Sequence, residues 1–343
     1  MKLLVSAVEP SANMHLKALM AHMSEVLLTG IFDPSLGAPI ADPKSLSVMG
    51  FIDTFRVYRY AKRLIAQLVD EAKEVDKILL IDAPAFNIPL AKALKKRYPN
   101  KKIFYYILPK VWAWKPSRIK LIERYVDVAL SIFPFEEQFY PHAIFVGNPL
   151  MDEIKEYKNS PSIQKKIAFL PGSRKREIRG LMPVMRQLRT HFGDYKNILV
   201  IPHYFDDADI ARLYGDVSGF VLYREAHEAL LEAKYAYVCS GTATLESAII
   251  GTPLSLLYIT HPWEFALMKY LVKLPYAGLA NIIMYFAGQK AMHPEFFQDE
   301  VNVDALRRAY ESHDAFAFME DATKLRALLG SGTLANVAKL LQK

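Results

Sequence analysis

The chain has 343 residues, 52% of them apolar, a formal charge of +7 and one cysteine. That composition excludes a disulfide framework and a cysteine-based metal site, suits a globular protein of roughly two domains of ~150 residues each, and favours anionic partners. No stretch reaches the ~20 uninterrupted apolar residues that a spanning helix needs, because Lys269, Lys273 and Pro275 break the best candidate. The single cysteine makes a reducing cytoplasm the expected setting, and the apolar run Leu3 to Val8 is shorter than a signal peptide needs.

Lys2 to Val8 predicts a first buried strand, and Glu9-Pro10-Ser11-Ala12-Asn13 leads into a helix from about Met14 to Leu27. Glu9 and Ser11 at that strand end are placed for a ligand hydroxyl or phosphate, and equally for helix capping. Ser47 to Phe51, with Met49 at its centre, opens a segment in which Phe51, Ile52, Phe55, Val57 and Tyr58 are interleaved with Arg56, Arg59, Lys62 and Arg63. Two readings stay open for it: a helix whose apolar side chains enter lipid while its bases meet lipid phosphates, or a core helix with a solvated basic face. No motif supports nucleic-acid binding.

Lys77 to Ile81 predicts a strand that delivers Asp82-Ala83-Pro84-Ala85-Phe86-Asn87 to its C-terminal end, where open α/β sheets bind ligands. An acid at that point, before a proline that fixes the turn, suits a general base or a cap. After a strand over Lys102 to Ile107 come Trp112 and Trp114, large aromatics fit for an acyl or sugar pocket or for interface filling. Val126 to Phe133 and Ala143 to Val146 supply two more strands. The polar stretch Met151 to Lys166 is the expected linker.

Ile167 to Leu170 restarts the strand pattern, and the turn Pro171-Gly172-Ser173-Arg174 runs into Lys175, Arg176 and Arg179, a cluster suited to a pyrophosphate. Asn197 to Pro202 and Gly219 to Tyr223 predict further strands. Tyr235 to Tyr258 is a complete βαβ unit: a strand to Cys239, the turn Ser240-Gly241-Thr242, a helix from Ala243 to Ile250, a stop at Gly251 and Pro253, and a strand from Leu254. Its turn leaves backbone N–H groups and a helix dipole facing outward, and Glu246 lies one turn further in, within reach of a sugar hydroxyl. Trp263 to Gly288 is strongly apolar and reads as core or as a second lipid-facing surface. The histidines show no metal-ligand spacing.

Taken in order, VEPSANMH, SVMGF, IDAPAFN, PKVWAW, FPFEEQFY, FVGNPL, LPGSRKREI, CSGTATLE and LANII resemble the signature segments of the lipid-A-disaccharide synthase family over nearly the whole chain. The resemblance implies an α/β fold of GT-B architecture, two Rossmann-like domains facing a central cleft. Residues 1–158 would form the acceptor and membrane-facing domain, 159–320 the UDP-sugar donor domain and 321–343 a C-terminal helical tail. It implies an inverting glycosyltransferase without metal or cofactor, which joins UDP-2,3-diacylglucosamine to 2,3-diacylglucosamine 1-phosphate (lipid X), giving the β-1,6-linked lipid A disaccharide 1-phosphate and UDP. Its place would be peripheral, on the anionic inner face of the cytoplasmic membrane, with a homodimer as a further expectation.

Carried onto this chain, the resemblance makes Asp82 the base, with Glu9 on the opposite wall. It puts Gly172, Ser173, Arg174, Glu177, Ser240, Gly241, Thr242, Ala243, Thr244, Glu246 and Asn281 at the donor. Ser11, Met49, Phe51, Phe55, Arg56, Arg59, Lys62, Arg63, Trp112 and Trp114 would serve the acceptor, its acyl chains or the membrane. The sequence departs from the family pattern where Val8, Ala12 and Asn13 replace two glycines and an Asp, and where Lys110, Asn148 and Ala280 replace a Ser, a His and a Pro. The rival expectations are another UDP-N-acetylglucosamine-dependent GT-B enzyme, transferase or 2-epimerase, and a non-catalytic nucleotide-sugar-binding protein at the membrane surface.

Overall fold

The computed structural model describes residues 1–43, 54–271 and 274–343, without the side chains of residues 54–57, 268, 269 and 271. The chain forms two compact units, one of Met1–Asp152 with Leu329–Lys343 and one of Glu153–Leu328.

In the first unit β1 (Lys2–Ala7), α1 (Pro10–Met20), β2 (Leu27–Ile31), α2 (Thr54–Glu71), β3 (Lys77–Ile81), α3 (Pro84–Arg97), β4 (Lys102–Tyr106), α4 (Arg118–Tyr125), β5 (Val128–Ser131), β6 (Ala143–Phe145) and α5 (Pro149–Glu153) follow one another. The six strands make one parallel sheet in the order β2-β1-β3-β4-β5-β6. Strand residues alternate between its faces, and helices cover both, so the strands are apolar throughout. Leu4, Ile78, Leu80, Ile103 and Tyr105 meet Leu64 and Leu68 of α2 with Leu90 and Leu94 of α3. On the other face Leu3, Val5, Leu79 and Phe104 meet Leu16 and Leu19 of α1.

This packing places the C-terminal part of the basic segment. In α2 the stripe Leu64 and Leu68, flanked by Ala61 and Ile65, is spent in the core. Arg59, Lys62 and Arg63 are exposed. The described part of α2 is therefore a core helix with a solvated basic face. Met49 and Phe51 lie outside the described residues, as do the side chains of Phe55 and Arg56.

The second unit runs β7 (Lys166–Leu170), α6 (Lys175–Arg189), β8 (Lys196–Val200), α7 (Asp207–Leu213), β9 (Val221–Tyr223), α8 (Ala226–Glu232), β10 (Tyr235–Cys239), α9 (Thr242–Ile250), β11 (Leu254–Tyr258), α10 (Pro262–Leu271), α11 (Leu279–Phe286), β12 (Glu295–Phe297), α12 (Val303–Glu311) and α13 (Ala315–Leu329). Its sheet is also parallel, in the order β12-β11-β10-β7-β8-β9. Ile167, Phe169, Tyr235 and Tyr237 pack against Ile178, Met182 and Met185 of α6 and Leu306 of α12.

The division falls at 152/153 instead of the expected 158/159, because the polar stretch is anchored at both ends. Asp152 accepts hydrogen bonds from the N–H groups of Gly332 (2.6 Å) and Leu334 (3.3 Å), which ties it to the first unit. Lys158 N–H donates to Ile250 O (2.8 Å) of the second. The C-terminal segment is divided as well. α13 lies almost wholly in the second unit, whereas α14 (Thr333–Gln342) belongs to the first, with Leu334, Val337, Ala338 and Leu341 buried against β1 and β3.

Each sheet has a point where strand order reverses, and ligands of open α/β sheets bind beside such points. In the first it lies between β1 and β3, paired up to Ala7 and Ile81, so residues 8–9 and 82–83 leave side by side. In the second it lies between β7 and β10, paired up to Leu170 and Val238. That brings the turns at Gly172 and Ser240 together.

Candidate functional site

In the first unit Glu9 is the residue before α1, which begins at Pro10, four residues earlier than expected. Proline fixes φ near its helical value and its missing N–H costs nothing in a first turn, which accounts for the early start. α3 starts in the same way at Pro84. Between β3 and Pro84 the chain passes through two consecutive left-handed residues that are not glycine, Asp82 (φ 49°) and Ala83 (φ 43°). The β-branched Ile107, at the end of the neighbouring strand, is left-handed too (φ 65°). Such conformations cost on the order of 1–3 kcal/mol each and persist where the surroundings enforce them.

Here the enforcing groups are visible. Asp82 N–H donates to Tyr106 O (2.9 Å), and the Tyr105 hydroxyl donates to Asp82 O (2.6 Å). The buried Asn87 amide donates to Ile81 O (3.1 Å) and Asp82 O (2.8 Å). Asn13 does the same for the other loop, donating to Ala7 O (2.8 Å) and Glu9 O (2.9 Å) while it accepts from Asp33 N–H (2.7 Å). An aspartate in place of Asn13 has no N–H to give those carbonyls. The departure from the family pattern at this position thus carries its own clamp.

The clamped turn carries a half-buried carboxyl. Burial raises the pKa of Asp82 above its ordinary value, against the opposing charge of Lys110 and a hydrogen bond from Ala83 N–H. Glu9, exposed as a whole residue, is raised as well, first by partial desolvation and then by the negative charge of Asp82. A carboxylate that is poorly solvated and close to a second acid is a stronger base than a free one, which is the property a general base needs. Ser11 is exposed in the first turn of α1.

The two tryptophans part company. The Trp112 indole N–H donates to Glu136 (3.1 Å), and its ring meets Phe135 edge-on at 5.3 Å and Phe133 at 6.1 Å. Glu136 is fully buried, takes a second hydrogen bond from Ser131 (2.9 Å), and is pushed up to about 7 by desolvation. Trp112 therefore anchors the loop that presents Lys110. Trp114 is exposed, with the Lys115 ammonium 5.2 Å from its ring centre.

In the second unit Gly172 has φ 98°, and a Cβ there would come within 2.6 Å of Glu177 Oε2 and 3.0 Å of Cys239 Sγ. Only glycine fits that approach of the two turns. Glu177 caps α6 by accepting from Arg174 N–H (3.2 Å) and pairs with the Arg174 guanidinium (3.1 Å). Arg174 itself is 81% exposed, a guanidinium available to a ligand. The Tyr204 hydroxyl donates to Ser173 O (2.6 Å) and steadies the turn. Across from it Gly241 precedes α9 with no side-chain cap, and Thr244 turns its hydroxyl back to Gly241 O (2.7 Å). Gly241 and Thr242 are exposed, Ser240 and Ala243 half-buried. The uncapped first turn of α9 and the exposed, basic Arg174 turn have the chemistry that suits an anion.

Glu246, one turn into α9, is pushed up to about 7 by burial first, then by the charges of Glu153 and Glu225. His227 Nδ1 lies 3.8 Å from its carboxyl. Asn281 stands elsewhere than expected. It is fully buried, and its amide donates to His293 O (2.9 Å) and Glu295 Oε1 (2.8 Å) while accepting from Met292 N–H (2.8 Å) and His293 N–H (3.3 Å). With every hydrogen-bonding position taken, it has nothing left for a donor sugar. It works with Glu295, which accepts from Ala277 and Gly278 N–H, to hold the start of α11.

Reading the sequence alone missed the supports Asn87, Tyr105, Glu136 and Tyr204. For Asn87 a signal existed: Asn13 and Asn87 each follow the last residue of their strand by six positions and bond its carbonyl.

Comparison with known proteins bears on the family and the fold. Residues 3–321 match the family described as Lipid-A-disaccharide synthetase. A lipid-A-disaccharide synthase of Campylobacter jejuni strain RM1221 is 42% identical over a 362-residue alignment covering 99% of both chains. That of Helicobacter pylori strain G27 is 40% identical, covering 98% of this chain and 96% of its own. Among solved structures, the glycosyltransferase SnogD from Streptomyces nogalater superposes with a TM-score of 0.59 at 15% identity, covering 99% of each chain. A UDP-GlcNAc 2-epimerase from Neisseria meningitidis bound to UDP-GlcNAc reaches 0.59 at 12%, covering 100% of each. At those identities the structures speak for the GT-B fold alone. The sequence match, by contrast, runs through both switch points and at 40–42% to named relatives, and on it the chain belongs to the lipid-A-disaccharide synthetase family.

Proposed function

We propose that this chain joins UDP-2,3-diacylglucosamine to 2,3-diacylglucosamine 1-phosphate, forming the β-1,6-linked disaccharide 1-phosphate and UDP in lipid A biosynthesis. The acceptor 6-hydroxyl oxygen attacks the donor anomeric carbon as the bond to the UDP phosphate breaks, so the configuration inverts. The hydroxyl proton passes to the Asp82 carboxylate, and the negative charge that develops on UDP is met by Arg174 and the N–H groups at the start of α9. Glu246 takes a hydroxyl of the nucleotide sugar. The observation that carries the reading is the clamped, half-buried Asp82 at a strand-order reversal, with its pKa raised by burial. Acylated substrates do not readily leave a bilayer, so the proposal includes peripheral attachment to the inner face of the cytoplasmic membrane. Among the described residues no helix is long and apolar enough to cross one.

Two comparisons test this. Acylated UDP-glucosamine should be used as donor and unacylated UDP-N-acetylglucosamine should not. The Asp82→Asn variant should lose about 10²-fold or more in kcat with UDP affinity kept, and wild-type kcat/KM should fall on the acid side with an apparent pKa above the ordinary aspartate range. Undiminished turnover of Asp82→Asn would remove the assigned base.

A further inference from the structure

α10 carries an outward face that none of the described residues of the second unit covers. Trp263 is 65% exposed, Leu267 48% and Tyr270 81%. Their spacing of four and three residues stacks them on one side of the helix. One flank and the back are fixed: on the flank Glu264 forms a two-pronged ion pair with Arg176 (2.9 and 2.5 Å), and at the back the Phe265 ring lies 5.7 Å from that of Phe297. Glu264 is the one acid in α10, and Arg176 holds it well down, at about 2. The outward face therefore presents apolar and aromatic groups, and the one carboxylate on its flank is neutralised by Arg176.

The ion pair also brings α10 against the basic start of α6. Lys175 and Arg179, one turn apart on that helix, are both exposed. An aromatic stripe with tryptophan and tyrosine, whose rings suit the boundary between headgroups and acyl chains, beside a basic rim is chemistry for an anionic bilayer. A protein partner would be expected to answer such a rim with its own acids, and a second copy of this +7 chain brings like charge instead.

We infer that the Trp263, Leu267 and Tyr270 face of α10 inserts into an anionic lipid surface, with Lys175 and Arg179 on the headgroups. The reaction proposed above explains why a bilayer would be near, but the docking stands on the geometry of the second unit and is tested without substrate. In α2, by contrast, Leu64 and Leu68 are consumed by the core.

The experiment is co-sedimentation of the whole chain with vesicles of phosphatidylcholine alone or mixed with phosphatidylglycerol. Wild type is compared with the triple variant W263S/L267S/Y270S and with K175E/R179E, thermal midpoints showing that each is folded. The triple variant should partition onto mixed vesicles at least about tenfold more weakly. K175E/R179E should lose the preference for mixed over neutral vesicles, and wild-type tryptophan emission should shift to the blue on mixed vesicles, a shift missing in Trp263→Phe. Unchanged partition of the triple variant overturns the inference. So does a wild type that ignores vesicles while sedimentation equilibrium shows a dimer that the triple variant dissolves, which would give the face to a second copy. Loss of the proposed transferase activity in some other variant would leave these results untouched.

Discussion

Asp82 and Glu136 are both carboxyls of the first unit raised by burial, and their surroundings give them different work. Asp82 is half-buried, so a hydroxyl can reach it. Glu136 has no exposed surface and both oxygens are occupied by Trp112 and Ser131. A group pushed up to about 7 in the fold is protonated where the unfolded chain would ionise. Its contribution to stability is therefore complete below the ordinary glutamate range, declines as pH rises toward about 7, and is absent above it. The offset is worth roughly 3 kcal/mol at most. Glutamine keeps the shape of the protonated acid and an acceptor oxygen for Trp112, its N–H2 donating to Ser131 Oγ, without the acid's ionisation. Glu136→Gln should therefore flatten the fall of Tm between about pH 5 and 7 by around half, the remainder coming from Glu246, which is also pushed up to about 7. An unaltered slope would mean that Glu136 stays ionised in the fold.

At the scale of elements, the two strand-order reversals are built from unlike parts. The second relies on glycine: at Gly172 both the positive φ and the nearness of Glu177 and Cys239 exclude a side chain. Gly172→Ala should cost on the order of 2 kcal/mol in thermal or denaturant unfolding and should also raise the KM for the UDP-sugar, because the turn that presents Arg174 must move. Lost stability with donor KM unchanged would separate the turn from donor binding. The first reversal achieves left-handed backbone at Asp82 and Ala83 through Asn87 and Tyr105, and a reader looking for glycine finds no sign of it.

That contrast explains what was legible. β3, β10 and β11 lie where the pattern puts them, since strands covered on both faces are apolar end to end. β2 and β12 went unread because Leu27 leaves an edge strand exposed and Glu295–Phe297 is only a short stretch with a charged start. The places of Asp82 and Arg174 just after strands were readable from the pattern. That Asn281 is spent inside the fold was not, because its four hydrogen-bond partners lie eleven to fourteen residues away.

For the whole molecule, the chain crosses from the first unit to the second and returns, ending in α14. The return is structural: Leu334, Val337, Ala338 and Leu341 fill one face of the first sheet, and the Lys77 ammonium donates to Leu341 O (2.6 Å). Ending the chain at Gly330 should destabilise the first unit by on the order of 5 kcal/mol, read as an early transition in thermal unfolding, while the second unit keeps its own. A truncated chain that melts like the full one would show α14 to be dispensable. The proposed chemistry of the units is complementary, a base in one and an anion cradle in the other. The most direct measurement is to incubate the purified chain with UDP-2,3-diacylglucosamine and 2,3-diacylglucosamine 1-phosphate in detergent, without added divalent metal, and to weigh the products by mass spectrometry. The account predicts UDP and a tetra-acyl disaccharide 1-phosphate; UDP binding with no such product would contradict it.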